Sequence, residues 1–184
     1  MTDLTTDRLL LRQWRDSDRE PFAALNADPA VMEHFPALQT REQSDALIDR
    51  NIPELDGRGW GLWAMEVKDT GEFIGFTGLN VPTFEAPFLP GVEIGWRMAK
   101  GAWGNGYATE AARAALAYGF GPAGLDEIAS FTATPNLPSQ RVMQRIGMVH
   151  DEAGDFDHPR IEEGHRLQRH VLYRISRAQW ESTQ

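Results

Sequence analysis

The chain has 184 residues, 41% of them hydrophobic and 24% charged, with a formal charge of −9. That composition describes a single globular domain over residues 1–184, and it excludes two partners: no apolar run approaches the roughly 20 residues that cross a bilayer, and surplus acid repels nucleic-acid phosphates. The lack of cysteine excludes disulfides, thiolate metal sites and a cysteine nucleophile, and Met1-Thr2-Asp3 is not the basic start of a signal peptide, so the expected location is the cytoplasm.

In chain order, Arg8 to Trp14 reads as a first strand, and Asp18 to Ala27 as a short helix ending before Asp28-Pro29. Thr40 with Gln43 makes a capping box, which predicts a helix from about Arg41 to Leu55, with Pro53 marking or bending its end. Gly59 to Lys68 and Glu72 to Val81 flank Asp69-Thr70-Gly71 and predict a hairpin. Pro82, Pro87 and Pro90 make an open connection to a strand over Val92 to Ala99, and Asn105 to Phe120 reads as an alanine-rich helix. Glu127 to Thr134 is the next strand, a helix follows from Asn136, and Val149 to Phe156 with Arg166 to Ser176 forms a closing pair. This order gives an α+β fold with a mixed, mostly antiparallel twisted sheet flanked by helices.

The most informative stretch is Gly91 to Ala111, where an alternating strand breaks into a glycine-rich turn that opens a helix. Gly104 and Gly106 have no side chain to block an anion, so the backbone N–H groups from about Trp103 to Thr109 can point at a phosphate with the helix dipole behind them. The turn lacks the Gly-Lys-Ser/Thr ending of nucleotide loops, and Thr109 stands where a dinucleotide fingerprint needs a small residue.

Trp103 to Ala111 resembles the acyl-CoA motif of the GNAT acetyltransferase superfamily, with Gly106 and Ala108 in its glycine positions and Trp103 where Gln or Arg is usual. The W-G-x-G-Y-A-T-E-A wording is similar to the ribosomal-protein N-terminal acetyltransferase branch. Asn136 to Met148 resembles the superfamily's second segment, a helix beside the thiol end of CoA. The resemblance implies central strands that splay near Ala99 and Thr134 to admit CoA. It implies acetyl-CoA as co-substrate, no metal, and a cofactor site of Met98, Trp103, Gly104, Asn105, Gly106, Tyr107, Ala108, Thr109 and Asn136.

Acetyl transfer to an amine needs a base, and Glu93, on the strand facing away from Ile94, is the candidate; the alternative is a salt-bridged sheet glutamate. Many relatives place a Tyr where Met143 stands, so Ser139 becomes the candidate to stabilise the leaving thiolate, unless it caps its helix; Asn136 either meets the pantetheine amides or initiates that helix. Glu110, in a first helical turn, is read as dipole complement or packing. The superfamily's layout implies an acceptor pocket lined by Glu33 and His34, from an early helical segment, and by Phe156 and His158. His165 and His170 lie five apart, on opposite faces of a strand, which argues against a metal site.

The function implied is N-acetyl transfer to a primary amine, on a protein N-terminus or a small molecule, and the −9 charge suits a cationic acceptor. A homodimer is compatible with it. The alternative, kept open by Met143, is a CoA-binding protein without transfer activity.

Overall fold

Alternating apolar runs build a single sheet whose strands follow the order β1 (Leu4–Thr5), β2 (Leu9–Arg12), β3 (Leu62–Val67), β4 (Glu72–Asn80), β5 (Glu93–Met98), β6 (Glu127–Ala133), β9 (Arg169–Ser176) and β7 (Val149–His150), with β8 (Phe156–Asp157) also pairing β9. The computed structural model describes residues 3–183; Met1 and Thr2, on which the signal-peptide reading rests, lie outside them. All pairings are antiparallel except β5 with β6, which run parallel.

One face of the sheet carries helix α3 (Tyr107–Phe120). Its Ala111, Ala112, Ala115 and Leu116 are fully buried, and the small side chains let its backbone sit close to β4 and β5. The other face carries α1 (Arg19–Asn26), where Trp14, Phe22, Phe73 and Phe76 pack edge to face. Helix α2 (Arg41–Arg58) packs beside α1 and β3.

The Thr40 capping box forms as its sequence predicts: Thr40 Oγ1 accepts the Gln43 N–H at 3.3 Å, and Gln43 Oε1 accepts the Thr40 N–H at 2.8 Å. Thr40→Ala should therefore cost about 1 kcal/mol of stability, read from a denaturant midpoint, with no change in cofactor affinity. Helix α2 continues past Pro53 to Arg58, beyond the expected end at Leu55. The proline removes one bond, but Leu55 is fully buried beyond it and holds the last turn down.

The closing pair differs more from expectation. Val149 to Phe156 is two short strands around a 3₁₀ turn, Glu152–Gly154. Carboxylates replace the ladder there: Asp151 accepts the Gly154 N–H, and Asp155 accepts the Leu172 N–H at 2.9 Å. The segment holding Glu33 and His34 is a run of turns between α1 and α2, not a helix. A last helix, α5 (Arg177–Glu181), is capped by Ser176.

What positions the site is the divergence of β5 from β6. They share one register pair, Glu93 with Ala129, where the Ala129 N–H reaches the Val92 carbonyl at 2.9 Å. One step further the Ser130 hydroxyl donates to the Ile94 carbonyl at 2.9 Å, a side chain spanning what a backbone bond no longer closes. Beyond it the strands part. The loop leading into α3 leaves the end of β5, and the turn leading into α4 (Leu137–Arg145) leaves the end of β6, so two helix N-termini stand at the mouth of one wedge.

Candidate functional site

The strand pattern decides which groups face the wedge. Gly95 and Arg97 lie opposite Gly78 and Phe76 in register, and the Ala99 N–H bonds the Ile74 carbonyl at 2.9 Å, so the N–H and C=O groups of Ile94, Trp96 and Met98 turn away from β4 toward β6. The Met98 carbonyl is already occupied, accepting the Trp103 indole N–H at 3.1 Å, so the half-exposed Trp103 acts as a brace across the strand end.

Past Trp103 the loop is bare. Gly104 and Gly106 both have φ of 80°, a left-handed backbone that L side chains rarely adopt, and Gly106 is the N-cap of α3 without any side-chain cap. The Trp103 N–H is used, bonding the Lys100 carbonyl. The next six, Gly104 to Thr109, have no acceptor among the described residues. Six consecutive unpartnered amides at the positive end of a 14-residue helix are the arrangement that binding an anion requires.

That loop is held from behind. Arg8 Nη1 donates to the Asn105 carbonyl at 2.9 Å, Arg8 Nε donates to Glu110 Oε2 at 2.7 Å, and its guanidinium stacks 4.8 Å from the Tyr107 ring. Burial alone would raise the Glu110 carboxyl, but hydrogen bonds from Thr6 and Arg8 overcome it and hold it below the ordinary range. Glu110 thus ties the turn between β1 and β2 to the first turn of α3. The Asn105 side chain folds onto the Ala102 and Trp103 carbonyls at 3.2 Å.

A cavity of about 950 Å³ runs from this loop into the wedge. Its lining brings together the residues expected to hold the cofactor, Met98, Trp103, Gly104, Gly106, Tyr107, Ala108, Thr109 and Asn136, with the expected catalytic pair Glu93 and Ser139 and the expected acceptor residues Glu33, His34 and His158. Asn105 and Phe156 are not part of its wall. Phe156 is buried in an aromatic cluster with Phe84, Phe88 and Phe131, which backs His158 and His170. Burial, with His170 and Arg160 nearby, pulls the His158 imidazole down to about 4, and burial lowers His170 as well, so both imidazoles are neutral at pH 7.

Glu93 sits opposite Asn80 in the β4–β5 register, and Asn80 Nδ2 donates to Glu93 Oε1 at 2.8 Å. No cation pairs with Glu93 among the described residues. Burial pushes its carboxyl up to about 7, and the Asn80 hydrogen bond opposes this only in part. A carboxylate poised there at neutral pH has the affinity of a working base. At α4, Asn136 is the cap: its Oδ1 accepts the Ser139 N–H at 3.3 Å and its Nδ2 donates to Thr132 Oγ1 at 2.8 Å. The capping role left open for Ser139 therefore belongs to Asn136, and the Ser139 hydroxyl, on the cavity wall, has no partner among the described residues. Met143 is buried in the core, away from the reacting volume.

Sequence reasoning missed three contributors. Arg8 and Asn80 are recognisable only through pairings 97 and 13 residues away. Arg97 shares a face of β5 with Glu93 and lines the cavity, stacked 4.2 Å over Phe35. Among the described residues, no three or more His, Asp and Glu side chains are grouped to hold a metal ion.

Residues 8–149 match the model of the acetyltransferase (GNAT) domain family. The chain is similar to an uncharacterised protein, YkkB, of Bacillus subtilis, at 39% identity over 80% of this chain and 85% of that one. It is similar to the FsC-acetyl coenzyme A-N(2)-transacetylase of Aspergillus fumigatus, at 33% identity over 96% of this chain and 77% of the relative. Among solved structures, a GNAT-family acetyltransferase from Bacillus anthracis superposes with a TM-score of 0.79 at 27% identity, covering 96% of this chain and 99% of that one.

Proposed function

Because this chain belongs to the GNAT acetyltransferase family and is an acetyl-CoA-dependent acetyltransferase, we propose that it moves the acetyl group onto a primary amine by direct attack, with the six free amides of Gly104 to Thr109 gripping the CoA pyrophosphate. That run of amides, opening into the cavity that Glu93 also lines, carries the reading. The pantetheine arm then lies in the wedge between β5 and β6, where the Trp96 backbone groups, turned from β4, can take partners as an added strand would.

An alkylammonium with a pKa of about 10 must lose a proton before it can attack. Glu93 accepts that proton, directly or through one water, the neutral nitrogen adds to the thioester carbonyl, and the tetrahedral adduct collapses as the proton still in excess on that nitrogen passes through water to the departing sulfur, releasing CoA as the thiol. Met143 cannot donate a proton. Ser139, whose hydroxyl is free on the wall beside α4, donates a hydrogen bond to the leaving sulfur. Ser139→Ala should lower kcat about tenfold while leaving CoA affinity within a factor of two; an unchanged kcat removes Ser139 from the chemistry.

The W-G-x-G-Y-A-T-E-A wording at Trp103 to Ala111 favours a peptide N-terminus among the acceptors, while the aromatic wall of Phe131, His158 and His170 favours a small amine. A thiol-release screen of the purified protein with acetyl-CoA against amino acids, N-terminal peptides, aminoglycosides and polyamines separates them. Tight CoA binding with no release above the water rate for any amine would overturn the transfer reading.

A further inference from the structure

The chain carries a net −9, yet the charged residues lining the cavity are four arginines, Arg97, Arg141, Arg145 and Arg160, against two glutamates, Glu33 and Glu93. Arg141 and Arg145 belong to α4, beside the cradle, and Arg160 is tied by its Nη2 to Thr83 at 2.8 Å. Arg97 is different. It lies within the acceptor side of the cavity, on the same strand face as Glu93, held between the rings of Phe35 and Phe76 at 4.2 and 5.5 Å.

A buried guanidinium ordinarily has a carboxylate beside it, as Arg12 has Asp18 at 2.7 Å and Glu66 at 2.6 Å in this same fold. Arg97 has none among the described residues. Its Nη1 donates to the neutral Asn26 amide oxygen at 2.6 Å, and its Nε is buried without an acceptor. Burial pulls the guanidinium down to about 10, which still leaves it cationic at neutral pH. Asn26 is itself fully buried and donates to Ser44 Oγ at 2.8 Å, so the guanidinium is aimed by a fixed chain of hydrogen bonds.

Unmet hydrogen bonding is concentrated here. Four buried side-chain atoms among the described residues lack a hydrogen bond, and one of them, Asp45 Oδ1, still faces Arg19 at 3.6 Å. The other three, His34 Nδ1, Gln39 Oε1 and Arg97 Nε, all belong to residues that line this one cavity. Native folds leave few such groups unmet, and of these three the Arg97 Nε is the donor of a cationic group, whose natural partner is an anion.

We propose that the acceptor is a small primary amine that itself bears a carboxylate, an amino-acid-like molecule whose anionic group pairs with Arg97 while its nitrogen is presented to Glu93. A planar guanidinium that has no carboxylate of its own matches a ligand carboxylate in a way that a point charge would not. A polyamine would place a second ammonium against the same cation. On this reading the surplus acid behind the net charge lies mostly outside the cavity, whose charged lining is mainly arginine. The inference rests on the amine-transfer reading above, so its test includes a readout that does not require turnover.

The probes are the N-acetyl derivatives of glycine, methionine and phenylalanine and their matched carboxamides, titrated by calorimetry into the CoA-loaded protein. The parent amino acids, their amides, their decarboxylated amines and spermidine are compared by thiol release. At least one acid should bind ten or more times tighter than its amide, and its parent should show a similar advantage in kcat/KM, chiefly through KM. Arg97→Met should bring that ratio close to one, and Arg97→Lys should retain part of it. Equal binding of every acid and amide, a preference that survives in Arg97→Met, or spermidine outperforming all the carboxylates would overturn the proposal. Silence of every amine in the thiol assay would overturn amine transfer alone, with the acid-to-amide binding ratio still deciding the role of Arg97.

Discussion

Gly106→Val should lower CoA affinity by at least about 100-fold while shifting the melting temperature by no more than a few degrees. Space is not the reason, because a Cβ built at Gly106 would meet only Arg8 Nη2 at 3.6 Å, an ordinary contact. Conformation is. Gly106 holds φ at 80°, and a β-branched residue there costs on the order of 1–3 kcal/mol, so the chain escapes by rotating the peptide units on either side. Rotation turns N–H groups of the Gly104 to Thr109 run away from the pyrophosphate. Two lost charge-assisted bonds, at about 1.5–3 kcal/mol each, correspond to roughly 100-fold or more. The loop is exposed and α3 is anchored by its buried alanines, so the fold tolerates the change. Gly101→Ala is the control: Gly101 has no positive φ and open space around it, and its affinity should stay within twofold. Undiminished CoA binding by Gly106→Val in calorimetry would refute the cradle.

The difference between what was legible in the sequence and what was not follows from the range of the interactions. The Thr40 box, the Asp69-Thr70-Gly71 hairpin and the bare turn at Gly104 to Gly106 are each written within a few residues, and each is found where its local pattern puts it. So is the alternation that sets Glu93 and Arg97 on one face of β5 and Ile94 on the other. The short strands after Met148 were read as one because alternation cannot anticipate that Asp151 and Asp155 will substitute carboxylates for ladder bonds. Asn136 and Ser139 were both plausible caps by residue type, and only geometry assigns the cap to Asn136. The strut of Arg8 on Glu110 and the isolation of Arg97 were illegible for a deeper reason. The first joins residues 102 apart, and the second is defined by a partner that is missing, which no pattern of residues along the chain records.

Glu93→Gln separates the proposed base from a sheet residue through two effects of opposite sign. The substitution is nearly isosteric and keeps an oxygen for Asn80 Nδ2 to donate to, so the cross-strand contact survives while the proton acceptor is lost. General-base catalysis is worth about 10²–10⁴-fold, and kcat should fall by at least 100-fold at pH 7 with CoA affinity unchanged. The wild-type rate should climb as pH rises through about 7, where the buried Glu93 carboxyl ionises, and this limb should vanish in the variant, leaving a rise governed by the amine. Stability moves the other way. The carboxyl holds its proton more tightly folded than unfolded, so the folded state binds more protons between the ordinary glutamate range and about pH 7, and wild-type stability declines across that window as pH rises. Glutamine has no charge to desolvate. Glu93→Gln should therefore match the wild type in mild acid and exceed it in denaturant midpoint above pH 7. A structural glutamate held by Asn80 alone would give a near-normal rate with the same stability gain, so the rate identifies the base and the stability curve reports the buried charge.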